Sequence, residues 1–132
     1  MMTPEFLDVN DIIEIHRRQI EVFGGREGVR GAAILDSALA QPMATFGGQS
    51  LHADVFMMAA AYLFLITLNH PFIDGNKRTA LAAALTLLEL NGLPVPESAQ
   101  ALYDATMAVA EGRLGKEQLA HLLRSLAQNG LS

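Results

Sequence analysis

The chemistry-bearing residues of this chain gather in one short run, His70-Pro71-Phe72-Ile73-Asp74-Gly75-Asn76-Lys77-Arg78-Thr79. The run separates the two most apolar stretches of the sequence. Lys77 and Arg78 stand where a helix should begin, at the positive end of its dipole. Cations there are unfavourable by roughly 0.3–1 kcal/mol each. The unpaired N–H groups of a first turn instead favour an anion. Together with those amides, Lys77 and Arg78 form a phosphate hole, and a charge choice that is locally wrong marks a functional site. Asp74 sits just before the hole, and one carboxylate plus phosphate oxygens is a usual way of holding Mg²⁺. His70, across the loop, has the imidazole suited to general-base work near neutrality. A base, a metal carboxylate and a phosphate cradle describe nucleotidyl or phosphoryl transfer.

The remaining residues of the run have positioning uses. Pro71 ends the preceding helix and pushes His70 away from helical geometry. Phe72 is an apolar anchor for the loop. Gly75 permits positive φ and close backbone approach, and Asp74 or Asn76 is placed to cap the next helix. Singly, each feature has an ordinary reading: a turn, a solvated helix start, a histidine at a helix end. Their coincidence between two apolar helices favours the functional one.

The elements that must carry this run are helical. Val9, Ile12, Ile13, Ile20 and Phe23 follow helical spacing over 9–23, opposite Asp11, Glu14, Arg17, Arg18 and Glu21. Gly24 and Gly25 stop that helix. Further helices are predicted over about 32–40, 52–69, 76–91, 97–110 and 116–128. The fourth of the six closes at Gly92, with Pro94 and Pro96 preventing continuation. The segment 41–50 reads as a loop or a small hairpin. The third and fourth helices are apolar nearly all round and belong at the centre of the bundle. The expectation is an all-α bundle of about six helices, with at most a short β-hairpin near residue 46.

Composition agrees and excludes other classes. The chain has 132 residues, 51% hydrophobic and only 6% aromatic, so its core must be aliphatic. Charged residues make up 17%, against about 25% in an average domain, which excludes disorder for the bulk of the chain. The length suits a single domain over 1–132. There is no cysteine, hence no disulfide, thiolate metal site or Cys nucleophile. The start reads as no signal peptide. The charge-free run at 55–68 falls short of the ~20 residues of a membrane span, so a cytoplasmic protein is expected. A net charge of −5 argues against direct nucleic-acid binding. His16, on the apolar face of the first helix, reads as a satisfied core histidine. No two histidines have zinc-ligand spacing.

The string His70 to Arg78 resembles the signature of the Fic/Doc family, HxFx(D/E)GNxR, with each fixed position filled in order. Gly24-Gly25, Gly28-Val29-Arg30 and Leu35-Asp36-Ser37-Ala38-Leu39-Ala40-Gln41-Pro42 are similar to the N-terminal part of its Doc (death-on-curing) branch. Ala108 to Gly112 and Leu119 to Leu126 are similar to the branch's C-terminal part. AMP-transferring Fic enzymes read GNGRxxR, whereas here Lys77 replaces the second glycine and Leu81 the second arginine. Both departures are those of the Doc branch. The family's usual Asp after Arg30 is Gly31 here, and Arg30 itself reads as structural or phosphate-reaching.

The resemblance implies a toxin of a type II toxin–antitoxin system. It implies a protein kinase that transfers the ATP γ-phosphate to a threonine of translation elongation factor Tu and so blocks translation. Residue by residue, His70 is the base and Asp74 holds Mg²⁺. Gly75, Asn76, Lys77 and Arg78 bind the phosphates, and Phe72 anchors the loop. Segment 41–50 is the target-docking flap, with Met43 and Phe46 as its clamp. No internal inhibitory helix of the form (S/T)xxxE(G/N) is readable, since Met107 precedes Glu111-Gly112. A Phd-like antitoxin is therefore expected in trans. The alternatives are a Fic-type AMP transferase, disfavoured by Leu81, and a non-enzymatic Fic-fold binding module, disfavoured by the intact His70, Asp74, Asn76 and Arg78.

Overall fold

The computed structural model describes residues 5–40, 45–46, 49–50, 54–95 and 99–130. The elements are α1 (Val9–Phe23), α2 (Ala32–Ala40), β1 (Thr45–Phe46), β2 (Gln49–Ser50), α3 (Val55–Asn69), α4 (Asn76–Leu90), α5 (Ala99–Ala110) and α6 (Lys116–Gly130). The fold is all-α. Its β content among the described residues is the two-residue antiparallel pair of β1 and β2, with Thr45 opposite Ser50 and Phe46 opposite Gln49. Met43 lies outside the described residues, and Phe46 is described by its backbone.

Helix starts and stops follow side-chain chemistry. At α1, Asp8 accepts from the Asp11 N–H at 2.8 Å while the Asp11 carboxylate accepts from the Asp8 N–H at 2.9 Å, a reciprocal cap. Gly24, at φ 82°, ends this helix. For α3 the sequence predicts a start at about 52, ahead of its apolar run. α3 begins at Val55, because Asp54 accepts from the Phe56 N–H and caps the helix there; His52 lies outside the described residues. Asp54 also pairs with Arg124, which ties α6 to this end of α3. α4 ends at Leu90, with Asn91 as its cap and Gly92 at φ 76°. α5 is described from Ala99, and the start expected at about 97 lies outside the described residues.

α3 and α4 form the centre. α3 packs on α4, α6, α2 and α5, and α1 lies across α4. Met58, Ala59, Ala60 and Tyr62 of α3 and Ala80, Ala83, Ala84, Leu87 and Leu88 of α4 have no exposed surface. Small alanines on both let the axes approach, and flanking Leu119 and Leu123 of α6 fill the other side. Tyr62 is the polar exception. Its hydroxyl donates to the Leu7 carbonyl at 2.9 Å and accepts from the Leu7 N–H, and burial pushes its ionisation up to about 12. That pair pins the segment before α1 to the core. No helix among the described residues is long and apolar enough to cross a membrane.

Candidate active site

The loop between α3 and α4 is held from both sides. On one side Gly28-Val29-Arg30 runs antiparallel to Pro71-Phe72-Ile73. Arg30 N–H donates to the Pro71 carbonyl at 2.7 Å, and Ile73 N–H donates to the Gly28 carbonyl at 3.1 Å. On the other side Phe72 is 1% exposed and stacks on the His16 ring, centroids 3.9 Å apart and planes 4° from parallel. His16 Nε2 lies 2.7 Å from the Asp74 carbonyl. A carbonyl only accepts, so Nε2 carries the proton and donates. His16 is thus a buried, satisfied histidine whose partner is the site loop.

Two residues expected to cap α4 are engaged elsewhere. The Asn76 side chain clasps Phe72 by both its groups: Oδ1 accepts from the Phe72 N–H and Nδ2 donates to the Phe72 carbonyl, each at 3.0 Å. The Asp74 carboxylate accepts from the Arg26 N–H at 3.2 Å and the Gly75 N–H at 2.9 Å. The N-cap is Gly75, at φ 75° and with no side-chain cap. The N–H groups of Asn76, Lys77 and Arg78 fall in the first turn, where no intrahelical acceptor exists. α1 and α3 cover their N-termini with aspartates, while α4 leaves its own to the cleft.

That cleft has a volume of about 360 Å³ and is lined by His70, Ile73, Asp74, Gly75, Asn76, Lys77, Arg78 and Tyr103. Every polar residue of the expected site therefore shares one surface, with Phe72 buried beneath it. The Arg26 N–H, and after it the Gly75 N–H and the Arg78 cation, hold Asp74 below the usual carboxylate range, so it is charged at neutral pH. Arg78 donates from Nη2 to the Gly24 carbonyl at 3.1 Å and lies over the Phe23 ring at 5.2 Å. Arg26, Arg30, Lys77 and Arg78, four of the nine basic residues of a chain with net charge −5, lie on the two segments that build the site. Leu81 packs against the core instead of lining the cleft.

The donor set fits Mg²⁺ in its usual protein mode, with one ionised carboxylate retaining free lone pairs and the remaining positions left to phosphate oxygens and water. No group of three or more His, Asp or Glu side chains able to hold a metal unaided occurs among the described residues.

Sequence reasoning missed three contributors. Tyr103, 58% exposed on α5, faces the site across the cleft, and no local pattern signals it. Arg26 acts through its backbone, which side-chain type does not reveal. Gly25 is the third. At φ 123°, a Cβ on it would lie 2.7 Å from Asp74 Oδ2. The glycine pair after α1 is therefore the seat of the carboxylate as well as a helix stop. Gly25→Ala is expected to cost about 1–3 kcal/mol through backbone strain and to raise the Asp74 pKa towards its ordinary value, by pushing the carboxylate off the Arg26 N–H. Carboxyl-carbon NMR titration and urea denaturation check both, and an unmoved Asp74 titration would show that the close approach is not what holds it.

Residues 6–88 match the sequence model of the Fic/DOC family. The chain is 42% identical over 89 residues to Toxin Doc of Mycolicibacterium smegmatis, spanning 67% of this chain and 66% of that protein. It is 32% identical over 116 residues to Protein kinase doc of Escherichia phage P1, spanning 88% of this chain and 90% of that one. The family match takes in the whole of the loop that carries His70 and Asp74 and most of the helix that opens at Asn76, and with these relatives the chain belongs to the Fic/Doc family, in its Doc branch.

Proposed function

We propose that residues 1–132 form one Doc-type toxin domain, a protein kinase that transfers the ATP γ-phosphate to a threonine hydroxyl of elongation factor Tu. In this reading it acts in the cytoplasm, stops translation, and is neutralised by a Phd-like antitoxin in trans. The observation that carries the reading is the single cleft in which His70, an ionised Asp74 and an uncapped, lysine- and arginine-bearing helix N-terminus meet. The relatives' names, Toxin Doc and Protein kinase doc, support it.

The residues divide the work. His70 takes the proton as the threonine oxygen bonds to the γ-phosphorus and the bond from that phosphorus to the bridging oxygen breaks, ADP leaving with the electron pair. The first-turn N–H groups of α4, with Lys77 and Arg78, hold the phosphates. Asn76 contributes its backbone N–H, since its side chain is committed to Phe72. Asp74 would hold Mg²⁺, which neutralises charge on the phosphate oxygens when bound. The flap, with Met43 and Phe46, would dock the target.

AMP transfer by the same base needs the α-phosphorus at the hydroxyl. Leu81 supplies no second cation to fix that pose and faces the core. Purified protein incubated in a bacterial lysate with ATP labelled at the γ or the α phosphorus discriminates the two. The γ label is expected on one dominant band of the size of elongation factor Tu, and the α label on none. Label from the α position, dependent on His70, would overturn the kinase reading and keep the site.

A further inference from the structure

His70 occupies a conformation its own chemistry opposes. At φ 49° and ψ 57° it is left-handed, and it is the one non-glycine with positive φ among the described residues. An L-residue pays roughly 1–2 kcal/mol there. The following proline adds a second objection, since a residue before proline is driven to extended geometry. A doubly disfavoured conformation persists only where the surroundings over-determine it.

The surroundings are specific. Arg30 Nε donates to the His70 carbonyl at 2.7 Å, and Arg30 Nη2 donates to the Asn69 carbonyl at 2.9 Å. The planar guanidinium thus spans the last carbonyl of α3 and that of its C-cap, His70, fixing the two relative to each other. Its main chain is locked to the same loop through the Pro71 carbonyl. A cation at the C-terminal end of α3 also meets the favourable end of that helix's dipole. The guanidinium is committed to these carbonyls and does not line the cleft, whereas His70 does.

We propose that Arg30 is a positioning residue: by bridging the Asn69 and His70 carbonyls it holds His70 left-handed, with its imidazole in the cleft. Its consequence for transfer rests on the reading of His70 as the base; the holding itself does not.

The experiment has two arms. In ¹³C,¹⁵N-labelled protein, positive φ at residue 70 gives a strong intraresidue HN–Hα cross-relaxation peak, because the two protons are close only in that conformation. The peak is expected in the wild type, weakened in Arg30→Lys, which offers one point of donation instead of a fork, and lost in Arg30→Met. Arg30 is exposed, so both variants should fold, and circular dichroism verifies it. Persistence of the peak in a folded Arg30→Met protein overturns the proposal.

In the second arm, γ-phosphate transfer to lysate protein is measured with ATP varied. Arg30→Met should lower kcat by about 10²-fold, the scale of a misplaced catalytic group, with the KM for ATP within about threefold of wild type. Superimposed on His70→Ala it should lower the residual rate no further, as residues acting through one another are non-additive. A raised KM with kcat unchanged would make Arg30 a phosphate ligand and overturn the proposal. So would a full additional loss in the His70→Ala background. If His70→Ala transfers as well as wild type, the base reading fails, and the cross-relaxation arm still decides whether Arg30 holds residue 70.

Discussion

Replacing His70 by alanine should abolish the growth arrest caused by expressing the chain in bacteria and lower phosphoryl transfer by about 10²–10⁴-fold, the usual contribution of a general base. Little stability should be lost. His70 is exposed at the rim of the cleft, and its structural partner, Arg30, bonds its main-chain carbonyl, which alanine keeps. A change limited to an exposed side chain is normally within about 0.5 kcal/mol. His70→Gly sharpens the expectation. Glycine accepts φ 49° without a steric penalty, so this variant should melt no lower than wild type while being equally inactive. Growth curves, γ-label transfer and thermal denaturation of the three proteins check the set. Arrest and transfer that survive both substitutions would leave His70 a helix cap and move the base elsewhere.

The largest effect on stability is expected at Phe72. Phe72→Ala removes a ring that is 1% exposed, stacked on His16 and continuous with the main core cluster. Substitutions of this kind cost about 3–5 kcal/mol. For a domain of this size that lowers Tm by roughly 10–20 °C. Phe72 also carries the loop geometry. Its backbone is clasped by Asn76 on one side and paired with the Gly28–Arg30 segment on the other, and His16, against its ring, holds the Asp74 carbonyl. Losing the ring should therefore weaken the site before the bundle unfolds. Phe72→Leu keeps most of the buried volume and loses the ring stacking, worth about 0.5–1.5 kcal/mol, so it should fall between. Urea denaturation of the three proteins measures the series. A cost below about 1 kcal/mol for Phe72→Ala would mean that the loop is anchored by its hydrogen bonds alone.

Much of this protein is written in its sequence because the relevant forces act locally or through composition. Two helices that are apolar nearly all round must lie at the centre, since nothing else satisfies such a surface; α3 and α4 do. Cations in a first turn run against the helix dipole, and Lys77 and Arg78 stand in the first turn of α4. A glycine before that helix signals positive φ, and Gly75 has it. The signature of the family resemblance lies in the same short run, whose spacing is local. The partners of polar side chains were not legible, because they are chosen by packing between segments far apart in the chain. Asp74 and Asn76 are good caps by type, yet one is taken by the backbone of Arg26 and the other by that of Phe72, leaving the end of α4 bare for a ligand. His16 could be assigned to the core from its helical face, but its stacking on Phe72 needed α1 to cross α4. His70 departs furthest from its local preference: proline and chirality both direct it to extended backbone. Only the approach of Arg30, brought to the end of α3 by the antiparallel contact with the site loop, makes the left-handed state the better one, because two charge-assisted hydrogen bonds to carbonyls outweigh a strain of one residue.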